Sequence, residues 1–397
     1  MPQLLQEALC LKEDLVAWRR HLHQNPELGK DLPLTSAFVE EKLEKMGYEV
    51  GRVCESGITA MAGKNGNGKC VLLRADMDAL PLREQGDGCF IATNGNMHAC
   101  GHDLHTAMLL GAARLLKAHE DEIEGRVKLV FQPAEEPMTG AKDMLEAGIL
   151  ENPKVDAAVM IHVIPGTALP SGTFIVPEGG PFSAASDWFE ITIKGKGGHG
   201  AMPEATVDPL NVASHIHLSL QEILSREIPA SEVAVVTVGQ MQGGEKANVI
   251  PDRAVMRGTI RTFNPDLRKF IFGRVSDIAN GTARAFRASA DIDITIGCPS
   301  VIIAPGLSRD LRACLTEVFG PDKVPSPATL SKMSASEDFG YIAEKVPSMT
   351  LLLSAGSVAE GYASPLHDSR AKFNEDVLPS GAAAYAVSAM EWLAKNK

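Results

Sequence analysis

The chain has 397 residues, enough for two or three compact domains. Hydrophobic residues at 45% and charged residues at 22% exclude wholesale disorder. Its 50 acidic and 38 basic side chains, a net charge of −12, exclude nucleic acid or an anionic membrane as the main partner, while leaving room for a small anionic substrate in one basic pocket.

Leu4 to Leu22 has helical apolar spacing and ends in Arg19, Arg20, His21 and His23 before Asn25-Pro26-Glu27-Leu28-Gly29 breaks it. A helix is expected from Thr35 to Met46. The turn Gly63 to Gly68 then leads into a buried strand, Cys70 to Ala75. Helix Thr106 to Ala118, strand Val127 to Gln132, short helix Lys142 to Ala147 and strand Val155 to Ile161 follow. Such alternation predicts a mixed, mostly parallel α/β sheet with helices on both faces. Near residue 187 the pattern becomes β-α-β-β-α-β: strand Trp188–Ile193, helix Pro209–Arg226, strands Val233–Val238 and Ala254–Thr262, helix Asp266–Ala285, strand Ile292–Ile296. That order is the ferredoxin-like α+β pattern. After Pro299 come helix Ser308–Phe319, strand Thr350–Leu353 and helix Gly381–Leu393. The domain reading is therefore a catalytic domain over 1–186 and 298–397, interrupted by an inserted domain over 187–297.

No stretch reads as membrane-spanning. Ala157 to Pro177 is uncharged but broken by Pro165, Gly166, Pro170 and Gly172, and Glu7, Lys12, Glu13 and Asp14 interrupt any signal-peptide core. Seven thinly spread cysteines make no disulfide framework, so a cytoplasmic protein is expected.

Four polar groups follow apolar strands or open a helix, where ligand crevices lie in open parallel sheets. They are Asp76-Met77-Asp78, Met97-His98-Ala99-Cys100-Gly101-His102-Asp103-Leu104-His105, Glu135-Glu136 and His162. Each alone has a bland reading as a turn cap, a solvated loop or a core side chain. Together, a thiol and an imidazole before a helix, a Glu pair and a strand-end His point to metal ligation. The donors suit Zn and also accept Mn, Co or Ni. Asp78 and Asp103 are then expected to orient ligand imidazoles. His119, His215 and His217 read as helix-surface residues, and Cys10, Cys54, Cys70 and Cys314 as core or bland. Cys89 and Cys298 are open.

These motifs resemble a known family. With Arg19 to Gly29, Leu73 to Pro81, Phe131 to Glu136 and Gly197-Gly198-His199, the sequence is similar to the dinuclear metallo-amidohydrolases that include hippurate hydrolase, bacterial aminoacylases and plant auxin-amino-acid conjugate hydrolases. The resemblance runs from about residue 15 to the C-terminus. It implies two divalent ions held by Cys100, His102, Glu136, His162 and His367, with Glu135 as general base. It also implies that the inserted domain is a lid and dimerisation surface, giving a homodimer or higher homo-oligomer. His199 is then carried to the oxyanion from the same or a partner subunit, and Asn248 and Arg261 contact substrate. The sequence departs from the family at Asp368-Ser369 after His367, at Gly200 and Glu204, and over Gly86 to Asn94, which leaves the acyl pocket open.

The expected activity is hydrolysis of N-acyl amino acids to a carboxylate and a free amino acid, by a water activated at the metals and Glu135. Rival readings are a dipeptidase or metallo-carboxypeptidase on the same scaffold, a Cys100 nucleophile with His102 as its base, and a non-catalytic binding homologue.

Overall fold

A computed structural model describes residues 2–63, 68–86, 90–326 and 332–397. The turn read over Gly63 to Gly68 and the loop with Cys89 thus fall partly outside the described residues. The chain divides into two compact units: Met1–Gly180 with Val301–Ser331 and Tyr341–Lys397, and Pro181–Ser300 with Lys332–Gly340.

The first unit begins with α1 (Pro2–Cys10), α2 (Lys12–Gln24) and α3 (Pro33–Lys45), so the first predicted helix is broken at Leu11. A hairpin, β1 (Val50–Val53) and β2 (Gly57–Ala62), precedes β3 (Cys70–Asp76). Then come α4 (His102–Ala118), β4 (Arg126–Gln132), α5 (Gly140–Glu146) and β5 (Ala157–Ile164). The hairpin was absent from the sequence reading: β1 has no fully buried residue to give it a pattern.

The second unit contains β6 (Ala185–Lys194), α6 (Pro209–Glu222), β7 (Ala234–Gly243), β8 (Arg253–Thr262), α7 (Pro265–Ala285) and β9 (Ser289–Thr295). Its four strands form an antiparallel sheet in the order β7-β8-β6-β9, as the β-α-β-β-α-β pattern requires. Phe189, Ile191 and Ile193 of β6 and Met256 and Ile260 of β8 alternate inward against Val212, Ile216, Ile271 and Val275 of the two helices. The first unit resumes with α8 (Pro305–Phe319), β10 (Ser348–Ser354) and α9 (Leu378–Lys395).

The long strands of the first unit run in the order β1-β2-β4-β3-β5-β10. β3 is parallel to β4 and β5, β10 is parallel to β5, and β2 alone runs against this direction among them. β3 and β10 are buried along their whole length, the mark of parallel strands covered on both faces. The predicted mixed α/β sheet and separate antiparallel sheet are both present. No helix among the described residues is long and apolar enough to cross a membrane.

One irregularity shapes the site. β3 stays paired with β4 through Asp76↔Gln132, and β5 with β10 through Ser354↔Ile164. Yet β3 and β5 pair only from Val71↔Ala157 to Arg74↔Met160. The sheet therefore splits at the carboxyl ends of its central strands, where α/β sheets place ligands. Tyr385 of α9 fills the first open rung, donating to Arg74 O at 2.7 Å and accepting the Ile161 N–H at 2.9 Å.

Candidate metal centre

The helix expected from Thr106 begins four residues earlier, at His102. Gly101, with φ 87°, turns the chain into it, and a Cβ there would lie 2.4 Å from Val163 Cγ2. Only glycine fits. Cys100 and His102 are consequently held rigidly at the helix start. His102 Nδ1 donates to Asp78 O at 2.7 Å, and its buried Nε2 has no hydrogen-bond partner. His162, near the end of β5, donates from Nδ1 to Val163 O at 2.8 Å, which leaves Nε2 3.6 Å from Cys100 Sγ.

Glu135 and Glu136 follow β4 past Ala134, a non-glycine residue in the left-handed region at φ 58°. The Asp78 carboxylate fastens this turn by accepting the Glu135 N–H at 3.0 Å and the Glu136 N–H at 3.1 Å. His367 is also left-handed, at φ 64°, and its N–H bonds Ala99 O at 3.0 Å. Its Nε2 lies 3.3 Å from Cys100 Sγ and 3.6 Å from Glu136 Oε1.

Two triads share one sulfur: Cys100/His102/His162 and Cys100/Glu136/His367, each with ligand atoms within 4.8 Å of one another. His102, Glu135 and Glu136 form a further group of the same size. A sulfur common to two donor sets would let Cys100 serve two divalent cations, which together would supply Lewis-acid chemistry. The buried His102 Nε2 and Glu136 Oε1, both without a hydrogen-bond partner, are unsatisfied in a way that a cation would correct.

The electrostatics agree with that fit. Burial pushes the Cys100 thiol up, against His102. Burial, aided by Asp78 and Asp76, lifts the Glu136 carboxyl to about 7 against the pull of His102. Burial also drives His162 down to about 3, with His105 and His102 adding to it. Burial opposes charge on His102, but Asp76 and Cys100 outweigh it and hold the ring well above its usual value. The cluster thus keeps protons on a thiol and a carboxyl that a divalent ion would displace.

Asp103 requires a correction. It does not meet a ligand imidazole but accepts from Arg19 Nε at 2.7 Å and His23 Nδ1 at 2.8 Å. Adjacent residues on a helix project about 100° apart, so with His102 facing the strand ends Asp103 faces α2. Asp78 meets His102 through its main-chain carbonyl, while its carboxylate is taken up by the Glu135 and Glu136 N–H groups. His105, absent from the predicted site, binds Asp76 Oδ1 at 2.6 Å and lies one turn from His102, a spacing visible only once the helix start is known.

His199, Asn248 and Arg261 belong to the second unit. His199 pairs with Val249, and the Gly200 N–H bonds Asn248 O at 2.9 Å, so the first two are neighbours. Arg261 donates to Ser336 Oγ at 3.3 Å and lies over the Trp188 ring at 5.9 Å.

A family profile described as Peptidase family M20/M25/M40 matches residues 72–391. The chain belongs to this family. The M20 chain is 38% identical over 386 residues to a protein of Arabidopsis thaliana described as IAA-amino acid hydrolase ILR1-like 2, covering 96% of this chain and 85% of that one. It is 36% identical over 392 residues to thermostable carboxypeptidase 2 of Saccharolobus solfataricus, covering 96% of each. It also superposes with a TM-score of 0.84 on a Bacillus subtilis protein, YXEP, described as a dinuclear metal binding peptidase from the M20 family. Identity there is 32%, over 98% of this chain and 99% of that one. The motif resemblance in the sequence therefore pointed to the right family. As an M20 member, the chain is a metal-dependent hydrolase of amide bonds.

Proposed function

We propose that this M20 chain hydrolyses N-acyl amino acids, using two divalent ions held by Cys100, His102, Glu136, His162 and His367. The observation that carries the reading is the single Cys100 sulfur shared by two donor triads. Bound there, Mn, Zn, Co or Ni would supply Lewis-acid chemistry and acidify a water. Glu135 takes the proton of the attacking water and returns it to the leaving amine. In the second unit, the Ala201 N–H bonds His199 Nδ1 at 3.0 Å, so the ring proton sits on Nε2. That N–H is the donor we assign to the tetrahedral oxyanion. Arg261 is assigned to the substrate carboxylate and Asn248 to contact with the substrate. We assign residues 187–297 to a lid and dimerisation domain. We place the enzyme in the cytoplasm, as a homodimer or larger homo-oligomer, where reducing conditions keep Cys100 unoxidised and able to bind metal. The similarity to a carboxypeptidase favours peptide-bond hydrolysis as the second reading.

The test is turnover of benzoyl-, acetyl- and aminoacyl-amino acids before and after chelation, with Glu135→Gln and Glu136→Gln beside the wild type. Acyl-amino acids should be the better substrates, and activity should vanish on chelation and return with Mn or Zn. Glu135→Gln should keep its metal and lose roughly 10²–10⁴-fold in kcat, the scale of general acid–base catalysis. Glu136→Gln should arrive metal-poor and recover partly in excess metal. The opposite pattern would exchange the two roles. Full activity after verified metal removal would favour Cys100 as nucleophile.

A further inference from the structure

Where the ladder between β3 and β5 breaks, the N–H groups of Ile161 and Val163 lose their strand partners on that side. Tyr385 takes the first, as described above. His105 takes the second. Its Nε2 accepts the Val163 N–H at 2.9 Å, and its Nδ1 donates to Asp76 Oδ1 at 2.6 Å. One tautomer makes both bonds, because an accepting Nε2 leaves the ring proton on Nδ1. Asp76 is fixed in turn by Arg74 Nη1 at 2.6 Å on its other oxygen, and all three side chains are fully buried.

His105 thus spans the split from the last residue of β3 to the neighbour of His162 on β5. Its ring lies 5.4 Å from that of His102 and 4.6 Å, edge-on, from that of His162. Asp76 Oδ2 stands 3.7 Å from His102 Nε2. Its two nitrogens are committed one to each of the separating strands, so the ring ties them together beside both histidines.

We propose that His105 is a positioning residue. It sets the separation of His102 and His162 and thereby the affinity of the cation they share with Cys100. The inference rests on the ligand reading under Proposed function. It assigns His105 no contact with metal or substrate. Loss of an outer partner of a metal ligand ordinarily weakens binding by about 10–100-fold.

The test is calorimetric titration of the metal-free chain with Mn and, separately, Zn, for wild type, His105→Gln and Tyr385→Phe. A glutamine can serve Asp76 or Val163 but not both. We expect His105→Gln to bind one of two ions about 10–100-fold more weakly, with the other unchanged. Tyr385→Phe, which opens the adjacent rung away from the ligands, should lower the thermal midpoint and leave both affinities alone. Wild-type affinities in a folded His105→Gln, or equal weakening in both variants, would overturn the positioning role. Should His105→Gln fail to fold, His105→Asn, whose amide keeps only the Asp76 bond, is read by the same criteria. A wild-type chain that takes up no divalent ion would overturn the ligand reading itself, a result distinct from the other two.

Discussion

His23 lies in a buried cluster, with Nδ1 2.8 Å from Asp103 and Nε2 3.2 Å from both oxygens of Glu84. Burial works against its charge, and Arg19 also opposes it, but the two carboxylates prevail and the pKa is raised. The sign follows from linkage. A histidine raised in the folded state contributes stability that is fully present below its ordinary value of about 6.5 and is lost as pH rises through the folded value. Asp103 and Glu84, both lowered, act only on the acid side. His23→Gln should therefore lower the thermal midpoint near pH 6, by the equivalent of about 1–3 kcal/mol for a buried partner lost, and less at higher pH. Midpoints measured from pH 6 to 9 that ran parallel in mutant and wild type would remove His23 from this account. The cluster also shows where residue chemistry was legible in the sequence. The Asp103 carboxylate was visible as a functional group beside His102, but its partner was not. Arg19 and His23 lie 84 and 80 positions away, and nothing in their spacing announces the pairing.

At the level of elements, Lys128 shows how β4 secures the connection leading to β5. Its ammonium is buried inside the unit and donates to three main-chain carbonyls, Ile149 O at 2.9 Å, Glu151 O at 2.7 Å and Pro153 O at 3.2 Å. Burial lowers its pKa, so it is held by carbonyl dipoles rather than by a counter-ion among these contacts. Lys128→Met keeps the length of the stem and removes all three bonds. It should cost about 1.5–3 kcal/mol, the range for hydrogen bonds to a charged group, and speed amide exchange over 149–155 more than elsewhere. Unchanged exchange in that segment would refute the role. The sequence could not have disclosed it, because a lysine inside an apolar strand reads as an interruption. What the sequence did disclose was the strands themselves: Cys70–Asp76, Arg126–Gln132 and Ala157–Ile164 all emerged from apolar runs to within a few residues. The splitting of β3 from β5 did not emerge, and so neither did the bridging role of His105. Both depend on which strands are neighbours, and periodicity says nothing about neighbours.

Across the whole molecule, the proposed chemistry is distributed over two units that each have their own core. All five assigned ligands and Glu135 lie in the first, whereas His199 lies in the second, exposed at the end of a two-residue strand. The second unit was readable because its helices and strands alternate plainly. Segment Lys332–Gly340 was not readable, and it joins this unit through the Ala184 N–H to Met333 O and Ala335 O, both at 3.1 Å. His367, like that segment, has no local signal: Leu366-His367-Asp368 is undistinguished, and its bond to Ala99 spans most of the chain. The division of labour makes a sharp prediction for His199. Its short strand is fixed within the second unit by Asn248 and Val249, and its proton is placed on Nε2 by the Ala201 N–H. Removing that imidazole therefore removes a donor without disturbing any ligand. His199→Ala should retain wild-type metal stoichiometry and thermal midpoint while kcat falls about 10²–10³-fold, as for loss of one oxyanion donor. KM should change far less, since a tetrahedral oxyanion exists only beyond the ground state. A variant that lost metal together with activity would place His199 among the ligands, and one with near-normal kcat would take it out of the reaction.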